Sequence, residues 1–162
     1  MVNLLTIAQA AAAASISIID HTQGYAVDLT NTGCKDFQPV TQYEFHRTTA
    51  EMLKLKTVAA NEFQIVNIKC NTIVTYPGSG TGAEPERSQT VALAGSHTAW
   101  NITSANASST TGPFHLLESV SGLALTAWPI DPAGHDTTHG PLTLERVGAN
   151  DTRQLFYLTP SL

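Results

Sequence analysis

The chain has 162 residues, of which 42% are hydrophobic and only 13% charged; that is long enough to bury a core without staples. Its surface must therefore be built from Ser, Thr, Asn and Gly, which suits a many-turned β domain and excludes the usual Lys/Glu-faced helical bundle. Thirteen acids against eight bases leave a formal charge of −5 with no basic cluster, which argues against a nucleic-acid partner, and no run approaches the length of a membrane span.

Residues 1–14 hold Leu4, Leu5, Ile7 and the run Ala10–Ala14. The segment is short and lacks the basic start of a signal peptide, so an alanine-rich leading helix or a frayed first strand is the expectation. The three sequons at Asn101, Asn106 and Asn150 point toward secretion, but such tripeptides arise readily in a chain this rich in Ser and Thr.

The stretch Ser15–Thr30 is then written three times. Its part Ser15–Asp28 slides without gaps onto Glu62–Thr75 and Pro113–Thr126, the copies beginning 47 and then 51 residues apart. Ile16, Ile18, Ile19 and Val27 fall on Phe63, Ile65, Val66 and Val74, and on Phe114, Leu116, Leu117 and Leu125. Gly24 falls on Asn71 and Gly122, residues that tolerate positive φ, so each copy predicts strand, tight turn, strand. Two further strands follow in each unit: Pro39–Tyr43 and Met52–Leu55, Gln89–Leu93 and Ala99–Ile102, Pro141–Leu144 and Leu155–Leu158. Their period-two alternation buries one face. Leu53, Trp100 and Phe156 are matching large apolar positions, followed two residues on by Leu55, Ile102 and Leu158.

The expectation is an all-β domain over 15–162, preceded by the extension 1–14. It has about twelve strands in three repeats, at about 15–61, 62–112 and 113–160. Pro77–Arg87 and Pro129–Gly140, dense in Gly and Pro, read as exposed loops of that one domain. Cys34 and Cys70 are too few for a disulfide framework; two free thiols in a reducing compartment or one bridge both fit, and a cytoplasmic location is favoured over a secreted one.

Three copies of a four-strand unit of about 50 residues look like a β-trefoil. More narrowly, the chain resembles the ricin-type lectins, particularly their divergent fungal members. Gly24–Leu29 matches the family's glycine-to-"LDV" segment and Pro39–Tyr43 its "pVqlW" segment. Ala50–Leu53 stands where the family has "NQxW"; Trp100 and Phe156 keep the aromatic in the later repeats. The resemblance covers roughly residues 15 to 160 and implies a barrel of six strands capped by three hairpins.

It also implies a non-catalytic carbohydrate-binding protein for galactose or N-acetylgalactosamine-type ligands, with no cofactor. In that family a repeat holds sugar with an Asp, an aromatic ring and a polar residue before the closing motif. A carboxylate takes sugar hydroxyls as charge-assisted hydrogen bonds, and a ring covers the apolar face of the pyranose. Repeat one supplies Asp28, Thr41 and Tyr43. Ala50 stands where Asn is common, leaving His46 or Glu51 to substitute. Repeats two and three carry Thr75 and Thr126 in place of the Asp, with Leu93 and Glu145 at the aromatic places, so one site of three is expected and a homodimer would supply avidity.

Blander readings stand beside these. Asp28 would equally serve as a cap on the turn from Thr30 to Gly33, and Tyr43 as a cover for the barrel flank. Trp100 and Phe156 read as core, and Trp128 as the freer aromatic. His135, Asp136 and His139 would need a helix to hold zinc, which the flanking Gly and Pro forbid, so a polar loop without metal is expected. No nucleophile elbow, phosphate loop or paired carboxylates appear, and no enzyme is expected. The rival function is a protease inhibitor presenting Pro77–Arg87 or Pro129–Gly140.

Overall fold

The computed structural model describes residues 3–79, 81, 84–130 and 138–161. Among them lie twelve strands: β1 (Ile16–Asp20), β2 (Ala26–Leu29), β3 (Gln38–Tyr43), β4 (Leu53–Ala59), β5 (Glu62–Asn67), β6 (Thr72–Thr75), β7 (Val91–Leu93), β8 (Trp100–Ser104), β9 (Phe114–Glu118), β10 (Ala124–Ala127), β11 (His139–Glu145) and β12 (Phe156–Pro160). All their pairings are antiparallel. Strands β1, β4, β5, β8, β9 and β12 pair in that order and return to β1, closing a ring. The other six make the pairs β2–β3, β6–β7 and β10–β11. These pairs meet one another through β3–β7, β3–β11 and a bridge between Gln89 and Thr143.

The ring is filled by the positions that the sequence alternation singles out. Ile18 pairs with Leu158, Ile65 with Leu55 and Leu116 with Ile102, each buried and each at the same place in its unit. Leu53, Trp100 and Phe156 are buried beside them, and Trp100 Nε1 donates to the Val74 carbonyl. The expected tight turns form at Gly24, Asn71 and Gly122, with φ of 74°, 52° and 71°.

Each of those turns is held from below by a buried polar residue that hydropathy alone would not place inside. Asp20 accepts from the amides of Thr22, Gln23 and Tyr25 at 2.7–2.9 Å. Asn67 accepts from the Cys70 amide and donates to the Ala50 carbonyl. Glu118 accepts from the amides of Val120 and Ser121. Asp20, Asn67 and Glu118 are again 47 and 51 residues apart, so one device is used three times; a buried polar group is tolerable where it answers amides that would otherwise go unpaired.

The leading segment is helical over α1 (Ile7–Ala12), started by a capping box between Thr6 and Gln9. Its alanines let it lie against the barrel: Ala10 is fully buried and Leu5, Ile7, Ala11 and Ala13 pack on the core. Upstream, the Leu5 amide donates to the Leu158 carbonyl at 2.8 Å.

Three local expectations change. Strand β11 begins at His139 rather than Pro141, because residues 139–141 pair with β3. The third strand of repeat two is shorter than Gln89–Leu93, starting at Val91, and Leu155 falls outside β12. Cys34 and Cys70 form a disulfide, their Cα atoms 5.2 Å apart. It joins the segment after β2 to the turn after β5, where Lys69 Nζ also donates to the Thr32 carbonyl. Bridges of this kind persist where the surroundings are oxidising. Residues 80, 82 and 83 of the first loop, and 131–137 of the second with His135 and Asp136, lie outside the described residues. Among the described residues no group of side chains is arranged to hold a metal ion, and no helix is long and apolar enough to cross a membrane.

Candidate functional site

Repeat one places a carboxylate and a ring on one face of a two-stranded element. Asp28 on β2 pairs with Thr41 on β3, and Ala26 with Tyr43, so Asp28 and Tyr43 are diagonal neighbours with side chains on the same side. Both line a shallow cavity of about 200 Å³, with Asn31, Thr32, Thr48 and His139.

The turn after β2 does not use Asp28. The 3-10 turn Thr30–Thr32 has no side-chain cap, and Asn31 adopts φ of 55°. The Asp28 carboxylate accepts no hydrogen bond from the described residues although the residue is only 5% exposed. Burial, first, and the charge of Glu51, second, raise its pKa from 3.8 to about 6, against the lowering pull of His139 and His46. A buried carboxylate with unused acceptor capacity, opening on a cavity, is a group held ready for hydroxyl or amide donors.

Tyr43 is half-buried, stacked on His139 with ring centroids 4.7 Å apart and planes 25° off parallel. His46 tilts against the same ring, centroids 5.3 Å apart, and faces Glu44 at 3.7 Å. Thr41 is turned to Thr30, their hydroxyls 2.9 Å apart, which ties the turn to β3. Glu51 is fully buried, and its two oxygens accept from the amides of His46 and Thr48. It shapes the loop from Tyr43 to Ala50 and supplies negative charge behind Asp28. Of the five sequence candidates, Asp28 and Tyr43 line the cavity, His46 flanks the ring, and Thr41 and Glu51 stand behind as braces.

Sequence reasoning missed His139 and Thr48. Thr48 was findable as a polar neighbour of the closing segment. His139 was not, because it reaches the cavity through the pairing of β11 with β3, across units.

The threonines that stand at the place of Asp28 in the other units have their hydroxyls already paired. Thr75 is hydrogen-bonded to the Thr98 hydroxyl, which is bound in turn by Ser79 and Ser96. Thr126 accepts from Gln154 Nε2 and donates to the Ala124 carbonyl.

No family model matches the chain, and no curated protein matches it by sequence. Solved structures do resemble it. A designed three-fold symmetric protein, ThreeFoil, superposes with a TM-score of 0.73 at 15% identity, over 90% of this chain and 97% of that one. The Rhizoctonia solani agglutinin gives 0.71 at 15%, over 91% and 95%. A Macrolepiota procera ricin B-like lectin, solved with lactose, gives 0.69 at 13%, over 90% and 94%. At these identities the likeness shows the fold alone, that of a β-trefoil.

Proposed function

We propose that this chain is a non-catalytic carbohydrate-binding protein: a trefoil of three four-strand repeats in the manner of the ricin-type lectins, holding sugar in repeat one. The observation that carries the reading is the Asp28 carboxylate, buried, accepting no hydrogen bond from the described residues and beside a half-buried tyrosine at a cavity. Asp28 takes two sugar hydroxyls, the outer part of Tyr43 covers the C–H face, and Thr48 and Asn31 finish the fixing at the rim. A neighbour of the same fold, the ricin B-like lectin solved with lactose, supports the ligand class; galactose and N-acetylgalactosamine are the first sugars to try.

A glycan array probed with the purified chain tests this, with a panel of serine and cysteine proteases assayed on the same sample. Glycan binding that competes with free sugar is expected. A blank array alongside nanomolar protease inhibition would replace the reading with the inhibitor one.

A further inference from the structure

We infer that Asn106 is a covalent modification site, the acceptor of an N-linked oligosaccharide, and that of the three sequons the fold keeps this one presentable. As sequence, Asn101-Ile-Thr, Asn106-Ala-Ser and Asn150-Asp-Thr stand on equal terms. The Cys34–Cys70 bridge is the mark of an oxidising compartment. On the secretory route, such a compartment is also where these tripeptides meet a glycosyl donor. Which asparagine stays within reach is a question of structure, and the three differ sharply.

Asn106, Ala107 and Ser108 are all exposed, in the loop that joins β8 to β9. The Asn106 side-chain oxygen accepts from the Ser108 amide at 3.0 Å and from the Ser108 hydroxyl at 2.7 Å. The two residues that define the motif are thus already joined, amide to hydroxyl, in an Asx turn. Nδ2, the atom that would take the sugar, donates to nothing among the described residues. Nor does the loop rely on it. The Ser104 hydroxyl shares its proton between the Asn106 and Ser109 carbonyls at 2.6 and 2.9 Å, and the Ser109 hydroxyl donates to the Gly112 carbonyl at 2.6 Å. The Ala105 amide donates to the Pro113 carbonyl at 2.9 Å. Substituting Nδ2 therefore breaks no bond of the loop.

The other two sequons are taken up by regular structure. Asn101 is half-buried within β8, paired with Leu117 on one side and Glu62 on the other. Asn150 is exposed, but its motif runs into the 3-10 turn Thr152–Gln154. Asp151, its middle residue, caps that turn and binds the Arg153 guanidinium through both oxygens, so presenting the motif would unwind the turn. Transfer to Asn106 breaks the C1–oxygen bond of a polyprenyl-diphosphate oligosaccharide and forms a C1–Nδ2 bond. The diphosphate leaves with the electron pair, and the displaced amide proton goes to a base of the host transferase. The loop lies at the Ser104–Phe114 end of the β8–β9 pair, whereas β10 joins β9 near the other end, at Leu117. A glycan there leaves the hairpin of Asp28 and Tyr43 uncovered, and the site stands whether or not repeat one binds sugar.

The test follows the full chain behind a cleavable secretion leader, translated with endoplasmic-reticulum microsomes and, separately, secreted from eukaryotic cells. The microsomes read transfer even for a variant that folds poorly. Wild type is compared with Asn101→Gln, Asn106→Gln, Asn150→Gln, Ser108→Ala and Ser108→Thr. Peptide-N-glycosidase digestion in heavy-oxygen water, followed by peptide mass spectrometry, marks each position that carried a glycan. The expected result is a gel-mobility shift that digestion reverses, with the heavy-oxygen mark at position 106. The shift should be lost in Asn106→Gln and Ser108→Ala, and kept in Asn101→Gln, Asn150→Gln and Ser108→Thr. A chain without glycan in both systems would overturn the inference, as would occupancy at Asn106 lower than at Asn101 or Asn150. Loss of the shift in Ser108→Thr would overturn it too, because the hydroxyl is kept there.

Discussion

Tyr43 and His139 face each other across the β3–β11 pairing, their rings stacked 4.7 Å apart. The ring expected to receive sugar is thus backed by a residue from the third unit, nearly a hundred positions away. A site drawn from repeat one alone is incomplete: its floor is Asp28, its loop is held by Glu51, and one wall is borrowed.

The first prediction sets function against stability at Asp28. Its folded pKa of about 6 exceeds the ordinary 3.8, so between those values the folded chain holds more protons than the unfolded one. Stability therefore falls as pH rises through that window, and the full penalty stands above pH 6. Discounted for solvent reaching the carboxylate through the cavity, the penalty is about 1 kcal/mol. Asp28→Asn should melt roughly 2–4 °C higher at pH 7.5, equal the wild type at pH 3.5, and bind sugar at least about tenfold more weakly. A lower melting temperature at pH 7.5 would mean that Asp28 is a structural cap.

The second concerns pH and ligand. Only the ionised carboxylate accepts from two hydroxyls at once. With a pKa of about 6, affinity should drop by about tenfold between pH 7 and pH 5. The charges of Glu51, His139 and His46 act on the group. Calorimetric titrations at intervals of half a pH unit would show it, and a flat profile would dissociate Asp28 from binding.

How far the sequence reached is clearest at particular positions. The gap-free repeat named Ile18, Ile65 and Leu116 as equivalents and put the turns at Gly24, Asn71 and Gly122, because burial and positive φ are local demands written at fixed spacing. The same offsets mark Asp20, Asn67 and Glu118, yet polar residues among apolar ones were passed over, and only the structure shows which amides they answer. His139 and the brace role of Glu51 depend on contacts between units and on backbone N–H directions, which no residue pattern records. The Cys34–Cys70 bridge depends on the distance between two loops, which is likewise absent from the sequence.

The third prediction tests the turn device. Asp20 is 2% exposed and answers three amides, so Asp20→Ala leaves them unpaired in a nearly dry place. The cost should be about 2–4 kcal/mol by urea unfolding, with Asp20→Asn less severe. A loss below about 1 kcal/mol would show that water replaces the carboxylate there.

The fourth concerns the disulfide. Cys34 and Cys70 are 36 residues apart, and closing such a loop in the unfolded chain is worth about 4 kcal/mol. Replacing both by Ser should lower the melting temperature by roughly 8–16 °C. Because the bridge also anchors the segment bearing Asn31 and Thr32, sugar affinity should weaken in the folded double variant. Unchanged melting would show that the two loops are held by their other contacts.

The last prediction separates the charge of Glu51 from its shape. Glu51 holds the loop by accepting from the amides of His46 and Thr48, and its charge is the second cause of the raised Asp28 pKa. Glu51→Gln keeps the side chain's size and one acceptor. It should cost about 1–2 kcal/mol of stability through the lost bond, leaving the chain folded. With the neighbouring charge gone, the Asp28 pKa should fall, while staying above 3.8 because burial is the larger cause and remains. The midpoint of the binding-versus-pH curve should therefore move to lower pH, with affinity at pH 7.5 changed far less than at pH 5.5. A merely structural role for Glu51 would weaken binding equally at all pH values and leave the midpoint where it was. An unmoved midpoint in a folded Glu51→Gln protein would therefore mean that Asp28 is not the group whose ionisation governs the site.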